Sequence, residues 1–336
     1  MTLRKTTAAL VGAAAILAAI PAAEAQVVMK MASATVNDVQ HEFQKMFAEE
    51  LEARIGDAVT VEIYPASQLG AIPRMVEGVL FGTIESFVTP TSFLVGTDPR
   101  FAAFDAPGLF LDGAHVGRVL HDPEYRDHLE TFAQDSGLRI IGAIYNSPIL
   151  VLSTSPIETL ADFQGLKIRT FSTPLQMEPM EAVGASPTPL ALTEVIPALQ
   201  SGGIDGMLAG MPILTAFKYW DVAEYVTDLN FATVISINVV NEEWFQSQAP
   251  EVQAAIIEAG RAAERKVLQW GIDNVAAANQ LWLDNGGQIL RLPDAEQAQM
   301  ESDFAALAEE ILAEDDAVWA EYQALSDVAG ATREAE

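Results

Sequence analysis

From Val27 onward the chain alternates strand-like and helix-like stretches, and this alternation is the tightest constraint on its fold. Val27-Val28-Met29-Lys30-Met31 reads as a strand. A helical stretch follows from about Asp38 to Ile55, in which Phe43, Met46, Phe47, Leu51 and Ile55 recur at three- and four-residue spacing as one apolar stripe. Thr60 to Tyr64 alternates as a strand, Pro65 to Gly70 turns the chain, and a second helix is expected from Ile72 to Phe81, stopped by Gly82. Glu85 to Thr89 is the third strand. This βαβαβ order predicts an α/β domain whose parallel strands carry ligands at their carboxyl ends, where Thr89, Thr91 and Ser92 lie.

The theme repeats. Further strands are expected at about Arg139–Ile144, Ile149–Thr154, Lys167–Phe171 and Gly206–Ala209, and a long apolar run extends from Ala232 to Val240. Ala249 to about Leu283 is helix-compatible and longer than most globular helices, which predicts an element bracing two domains. One closing helix is expected from Asp294 to Leu325, then a loose tail from Gly330. At 336 residues, two or three cores are expected.

Ahead of this pattern, Arg4 and Lys5 precede an apolar stretch from Ala8 to Ile20 and then Ala23-Glu24-Ala25. Basic end, short greasy middle and small-x-small site read as a Sec signal peptide over residues 1–25, with cleavage expected before Gln26. The apolar stretch is shorter than the roughly 20 residues of a spanning helix, so no membrane insertion is expected. No cysteine stands at the cleavage site to take a lipid. The expected location is the periplasm.

Eighteen Lys+Arg stand against 47 Asp+Glu, a net charge of −29. Such a field repels phosphate backbones and anionic headgroups, which argues against nucleic acid as a partner. The absence of cysteine removes disulfides, thiolate nucleophiles and cysteine-bound metals. The four histidines, His41, His115, His121 and His128, read as surface residues. Pro123 interrupts any helix shared by the last two, and no carboxylate completes a metal triad. There is no nucleophile elbow, phosphate loop, dinucleotide turn or H-E-x-x-H. Neither enzyme chemistry, nor a cofactor, nor a metal is expected.

Gly165-Leu166-Lys167-Ile168-Arg169 is the stronger signal: a turn feeds a short strand that ends in an arginine. Held in a cleft, that arginine offers a carboxylate a bidentate fork; on a surface it would only pair with one of many acidic neighbours.

Several stretches together resemble the DctP-type solute-binding subunit of tripartite ATP-independent periplasmic (TRAP) transporters. They are Ala66-Ser67-Gln68-Leu69-Gly70, Gly82-Thr83-Ile84, Ala106-Pro107-Gly108-Leu109-Phe110, Leu160 through Arg169, Gly184-Ala185-Ser186-Pro187, Ala198 through Gly206 and Asn241-Glu242-Glu243-Trp244. Their order and spacing match along nearly the whole mature chain. The resemblance implies a two-domain periplasmic-binding-protein-like fold with hinge strands and a long bracing helix. It divides the chain into 26–148 plus 236–275 and 149–235 plus 276–336. It also implies capture of a small organic acid, closure upon it, and delivery to a sodium-driven membrane permease, with no reaction. The family's G-x-K-I-R arginine clamps the substrate carboxylate, a role that carries to Arg169.

Many family members place a second arginine in the preceding strand, but Tyr145-Asn146-Ser147-Pro148-Ile149-Leu150 has no cation. After Asp205-Gly206 this chain has Met207-Leu208-Ala209-Gly210-Met211 where acid-binding relatives often have polar residues. A second carboxylate would find little to pair with, so a monocarboxylate with a partly apolar body is expected. A C4-dicarboxylate stays open if Lys30 swings in, as does an ectoine-like zwitterion. In other classes, an exported hydrolase and an acidic interaction protein stay open.

The remaining site candidates carry double readings. Phe171 is a pocket wall or a core residue. Tyr145 and Asn146 sit where a crossover strand meets the cleft. Thr89, Thr91 and Thr233 offer hydroxyls at strand ends or satisfy backbone. Gln40 and Asn37 lie in the first strand-to-helix loop, where capping is the alternative.

Overall fold

A computed structural model describes residues 27–333, so the expected signal peptide and its cleavage site lie outside the described residues. Two sheets organise the chain. The first contains β1 (Val27–Ser33), β2 (Val59–Tyr64), β3 (Ser86–Pro90), β4 (Leu138–Pro148) and β10 (Thr233–Asn241), in the order β2-β1-β3-β10-β4. β1 runs parallel to β2 and β3, as the βαβαβ pattern predicts, and β10 is antiparallel to β3 and β4. The second sheet holds β5 (Leu150–Ser153), β6 (Lys167–Thr170), β7 (Ser186–Pro189), β8 (Gly206–Ala209), β9 (Tyr225–Asp228) and β11 (Gln288–Arg291). Its order is β11-β9-β5-β8-β6-β7.

Two strand paths join the sheets. β4 leaves the first sheet at Pro148 and β5 begins at Leu150 in the second, while the segment entering β10 returns alongside. The crossing is tied where Ile149 N donates to Ala232 O at 2.9 Å. A third connection is the helix Pro250–Asp284, 35 residues and roughly 50 Å long. Ala255, Ile256, Ala259, Ala263 and Val267 bury its first half against the first sheet, whereas Ala278 and Trp282 enter the second unit's core. This is the bracing helix expected from the long 249–283 pattern. Its close approach depends on Gly260: a Cβ there would stand 1.8 Å from Ile141 O.

Local chemistry accounts for several of the sequence motifs. Asp38 caps the helix Val39–Ile55 by accepting from His41 N. Thr159 and Asp162 form a capping box at 160–163. Asp205 binds two strand ends through three bonds: its carbonyl accepts from Thr154 N, its N–H donates to Lys167 O, and its carboxylate accepts from Lys167 N. Asn241 donates to Val79 O and accepts from Trp244 N, pinning the end of the helix Ile72–Leu80. These positions build the frame.

Three expectations need correction. The single closing helix is two, Asp294–Leu312 and Asp316–Thr332, because Asp315 caps a new start by accepting from Ala317 N and Val318 N. Grouped with the second domain on sequence, the last helix instead bonds to first-unit residues: Glu321 accepts from Tyr125 Oη and pairs with His128, and Thr332 O accepts from Arg118 Nε. His115 is fully buried rather than at the surface, its Nε2 lying 2.9 Å from Ala329 O under that same helix.

Candidate functional site

Where the two sheets face each other, β6 delivers Arg169 into the interior. Gly165, at φ +79°, turns the chain into β6, whose Arg169 lies between Thr188 on β7 and Met207 on β8. Arg169 is 2% exposed. Its Nε donates to Leu190 O at 2.9 Å, which fixes the plane of the guanidinium, and no acidic side chain pairs with it among the described residues. Burial pulls its pKa down to about 10, with the Tyr219 hydroxyl acting weakly in the opposite direction, so it remains a cation at neutral pH. A buried guanidinium without a counter-ion is costly unless an anion joins it.

The space in front of Arg169 has an empty volume of about 520 Å³, its open side included. Its walls are largely apolar and come from both units. Ala34, Ile72, Pro90 and Phe93 belong to the first; Ile149, Phe171, Leu192, Met207, Leu208, Ala209 and Ile213 come from the crossover and the second sheet's elements. The Phe171 ring lies 5.0 Å from the guanidinium carbon and 4.7 Å from the Phe93 ring, so an aromatic pair spans the two units beside the cation. Polar lining is sparse: Thr35, Gln40 and Gln176 besides Arg169. Both glutamines are 1% exposed, and Gln40 Oε1 and both amide atoms of Gln176 have no hydrogen-bond partner.

Of the sequence candidates, Arg169, Phe171 and Gln40 meet in this cavity. Tyr145 and Thr233 line a different hollow, with Ala106, Asp112 and Phe231, on the hinge side. Asn146 is buried and donates to Ser236 Oγ within the first sheet. Thr89 and Thr91 are buried beside the cavity residues Pro90 and Phe93 without lining the cavity themselves. Asn37 sits in another surface hollow, with Thr215 and Lys218. Lys30 is held outside the cavity by Glu85 at 3.6 Å and by Thr83 O.

Gln176, Phe93 and Ile149 escaped the sequence reading. A polar residue in the first turn of the helix that follows β6 was the available signal for Gln176. Among the described residues no group of three or more His, Asp or Glu could hold a metal, and no helix is long and apolar enough to cross a membrane.

Residues 31–315 match the family described as bacterial extracellular solute-binding protein, family 7, or DctP. The chain belongs to that family. This DctP-type protein is 29% identical over 227 residues to the 2,3-diketo-L-gulonate-binding periplasmic protein YiaO of Escherichia coli, covering 67% of this chain and 69% of that one. It is 26% identical over 263 residues to the ectoine/5-hydroxyectoine-binding periplasmic protein UehA of Ruegeria pomeroyi, with 77% and 76% covered. Among solved structures, the fold matches a TRAP periplasmic solute-binding protein from Desulfovibrio desulfuricans with bound sn-glycerol-3-phosphate. There the TM-score is 0.85 at 24% identity, over 92% of this chain and 98% of that one. A TRAP solute-binding protein from Desulfovibrio salexigens with bound orotic acid matches with a TM-score of 0.83 at 24% identity, over 91% and 98%. The DctP-type family binds solutes and is not a family of enzymes.

Proposed function

We propose that this DctP-type protein works in the periplasm, captures a small monocarboxylate with a partly apolar body, and presents it to a TRAP membrane permease. The observation that carries the reading is the buried Arg169 guanidinium, without a counter-ion, facing an otherwise uncharged, apolar cavity. One carboxylate satisfies the guanidinium through its free terminal nitrogens, and the aliphatic and aromatic walls desolvate the rest of the ligand. Phe171 and Phe93 close over the bound acid from opposite units. Ile149 and Ala209 are apolar parts of the cavity wall, and its lining holds no cation besides Arg169, so a dicarboxylate would bury an unpaired charge. The similar proteins reported above are named for ligands as different as 2,3-diketo-L-gulonate and ectoine. The lining of this cavity is therefore the better guide to the ligand of this chain.

Isothermal titration of residues 26–336 with matched mono- and dicarboxylates tests the reading. Tighter binding of the monocarboxylates supports it; a preference for dicarboxylates of equal length overturns it.

A further inference from the structure

The cavity contains more hydrogen-bonding capacity than a carboxylate can use. A carboxylate brings only acceptors, which suit the N–H groups of Arg169 and of a glutamine amide. It offers nothing to the glutamine carbonyls. Gln40 Oε1 and Gln176 Oε1 are buried acceptors without donors, and Gln176 Nε2 is a buried donor without an acceptor. Reversing either amide exchanges donor and acceptor but still leaves one acceptor on each residue. Both residues line the Arg169 cavity, amid Ala34, Ile72, Pro90, Ile149, Met207 and Leu208, where unmet polar atoms are costly. Two such glutamines in one apolar cavity are a recognition device that the ligand must complete.

We infer that the ligand is a hydroxy-monocarboxylate: its carboxylate engages Arg169, and at least one hydroxyl on its apolar body donates to the carbonyl of Gln40 or Gln176. An ammonium in place of the hydroxyl would introduce a second cation, and the cavity lining contains no acidic residue to neutralise it. The inference rests on the proposed carboxylate-binding function and adds the group that separates one acid from another. Gln40 and Gln176 are then specificity residues, on opposite units: Gln40 on the helix Val39–Ile55, and Gln176 on the helix Pro174–Ala182 that follows β6. A ligand bridging them would favour the arrangement in which the two sheets face each other.

The test is a titration of the wild-type protein with matched acids: pentanoate and 3-methylbutanoate, each against its 2-, 3- and 4-hydroxy derivatives. At least one hydroxy acid is expected to bind roughly 10-fold or more tighter than its parent, the ratio set by one unmet buried acceptor. Gln176→Met and Gln40→Met, which keep side-chain length, are titrated in parallel. At least one of them is expected to shrink that ratio. Equal binding of hydroxy and parent acids to wild type overturns the inference, because ordered water then serves the glutamines, yet leaves the carboxylate function standing. Failure of every acid to bind overturns both. The wild-type comparison decides even if a variant does not fold.

Discussion

Thr173 Oγ1 donates to Asp105 Oδ2 at 3.2 Å, a hydrogen bond that runs from the loop after β6 in the second unit to the first unit. Asp105 also accepts from Ser92 Oγ, at 2.8 Å to each oxygen. Desolvation pushes its pKa up to about 6, against hydroxyl contacts that pull it down. Because the folded state holds this proton more tightly than the unfolded chain, stability contributed by Asp105 is greatest below about pH 4. It declines as pH rises towards 6 and is level above that. Asp105→Asn removes this slope. The variant is expected to be more stable at pH 7 by about 1–3 kcal/mol, the upper end being the full shift and the lower allowing for one lost acceptor oxygen. Urea unfolding of both proteins from pH 4 to 8 checks it, and parallel stability curves would sink it.

Arg169 supports a prediction about binding. Arg169→Ala is expected to weaken acid binding by about 2–5 kcal/mol, since it leaves a desolvated carboxylate without its partner. Arg169→Lys keeps the charge but not the planar fork or the bond to Leu190 O, so an intermediate loss is expected. Because the guanidinium loses its proton only near pH 10, affinity should be flat from pH 6 to 9 and fall above it. Titrations of the three proteins, with circular dichroism to confirm folding, decide the matter; wild-type affinity in the alanine variant would retire the clamp.

Much of the frame was legible before the structure, because periodicity reports burial directly. The first βαβαβ unit and the bracing helix follow from apolar spacing that survives in the folded chain. The break at Asp315 was not legible, since 313–315 contains neither Gly nor Pro and only the cap bonds reveal the new start. His115 looked like a surface residue because its partner, Ala329 O, is 214 positions away. In the site, Arg169 was visible as an arginine at the end of a short strand in an acidic chain. Gln176 carried only the weak signal of a polar residue in a first helical turn, because its meaning lies in the partners it lacks, and that is a property of packing.

Gly260 gives a prediction about the frame alone. Ala at this position would drive its Cβ into the backbone of β4, where Ile141 O lies 1.8 Å from the ideal Cβ position, so helix and sheet must separate. Overpacking of this kind costs about 1–3 kcal/mol. Gly260→Ala is therefore expected to lower the melting temperature by several degrees while leaving acid affinity within a fewfold, because Gly260 lies outside the cavity. Differential scanning calorimetry reads the first effect and titration the second; an unchanged melting temperature refutes the close-packing argument.

Ile149 offers the reverse experiment, a gain of function. It lies at the crossover, 2% exposed, with its N–H bound to Ala232 O and its side chain on the cavity wall. Ile149→Lys introduces a second cation into a cavity lined by one cation and no acid. In the empty protein the new charge is uncompensated, so a loss of stability of a few kcal/mol is expected, together with a lysine pKa well below its usual value. A dicarboxylate would neutralise both cations, whereas a monocarboxylate leaves one buried and unpaired. The variant should therefore shift its preference toward dicarboxylates by about 10-fold or more relative to wild type, and dicarboxylates should restore its melting temperature more than monocarboxylates do. If the preference is unchanged in a folded variant, the apolar wall at Ile149 is not what excludes a second carboxylate.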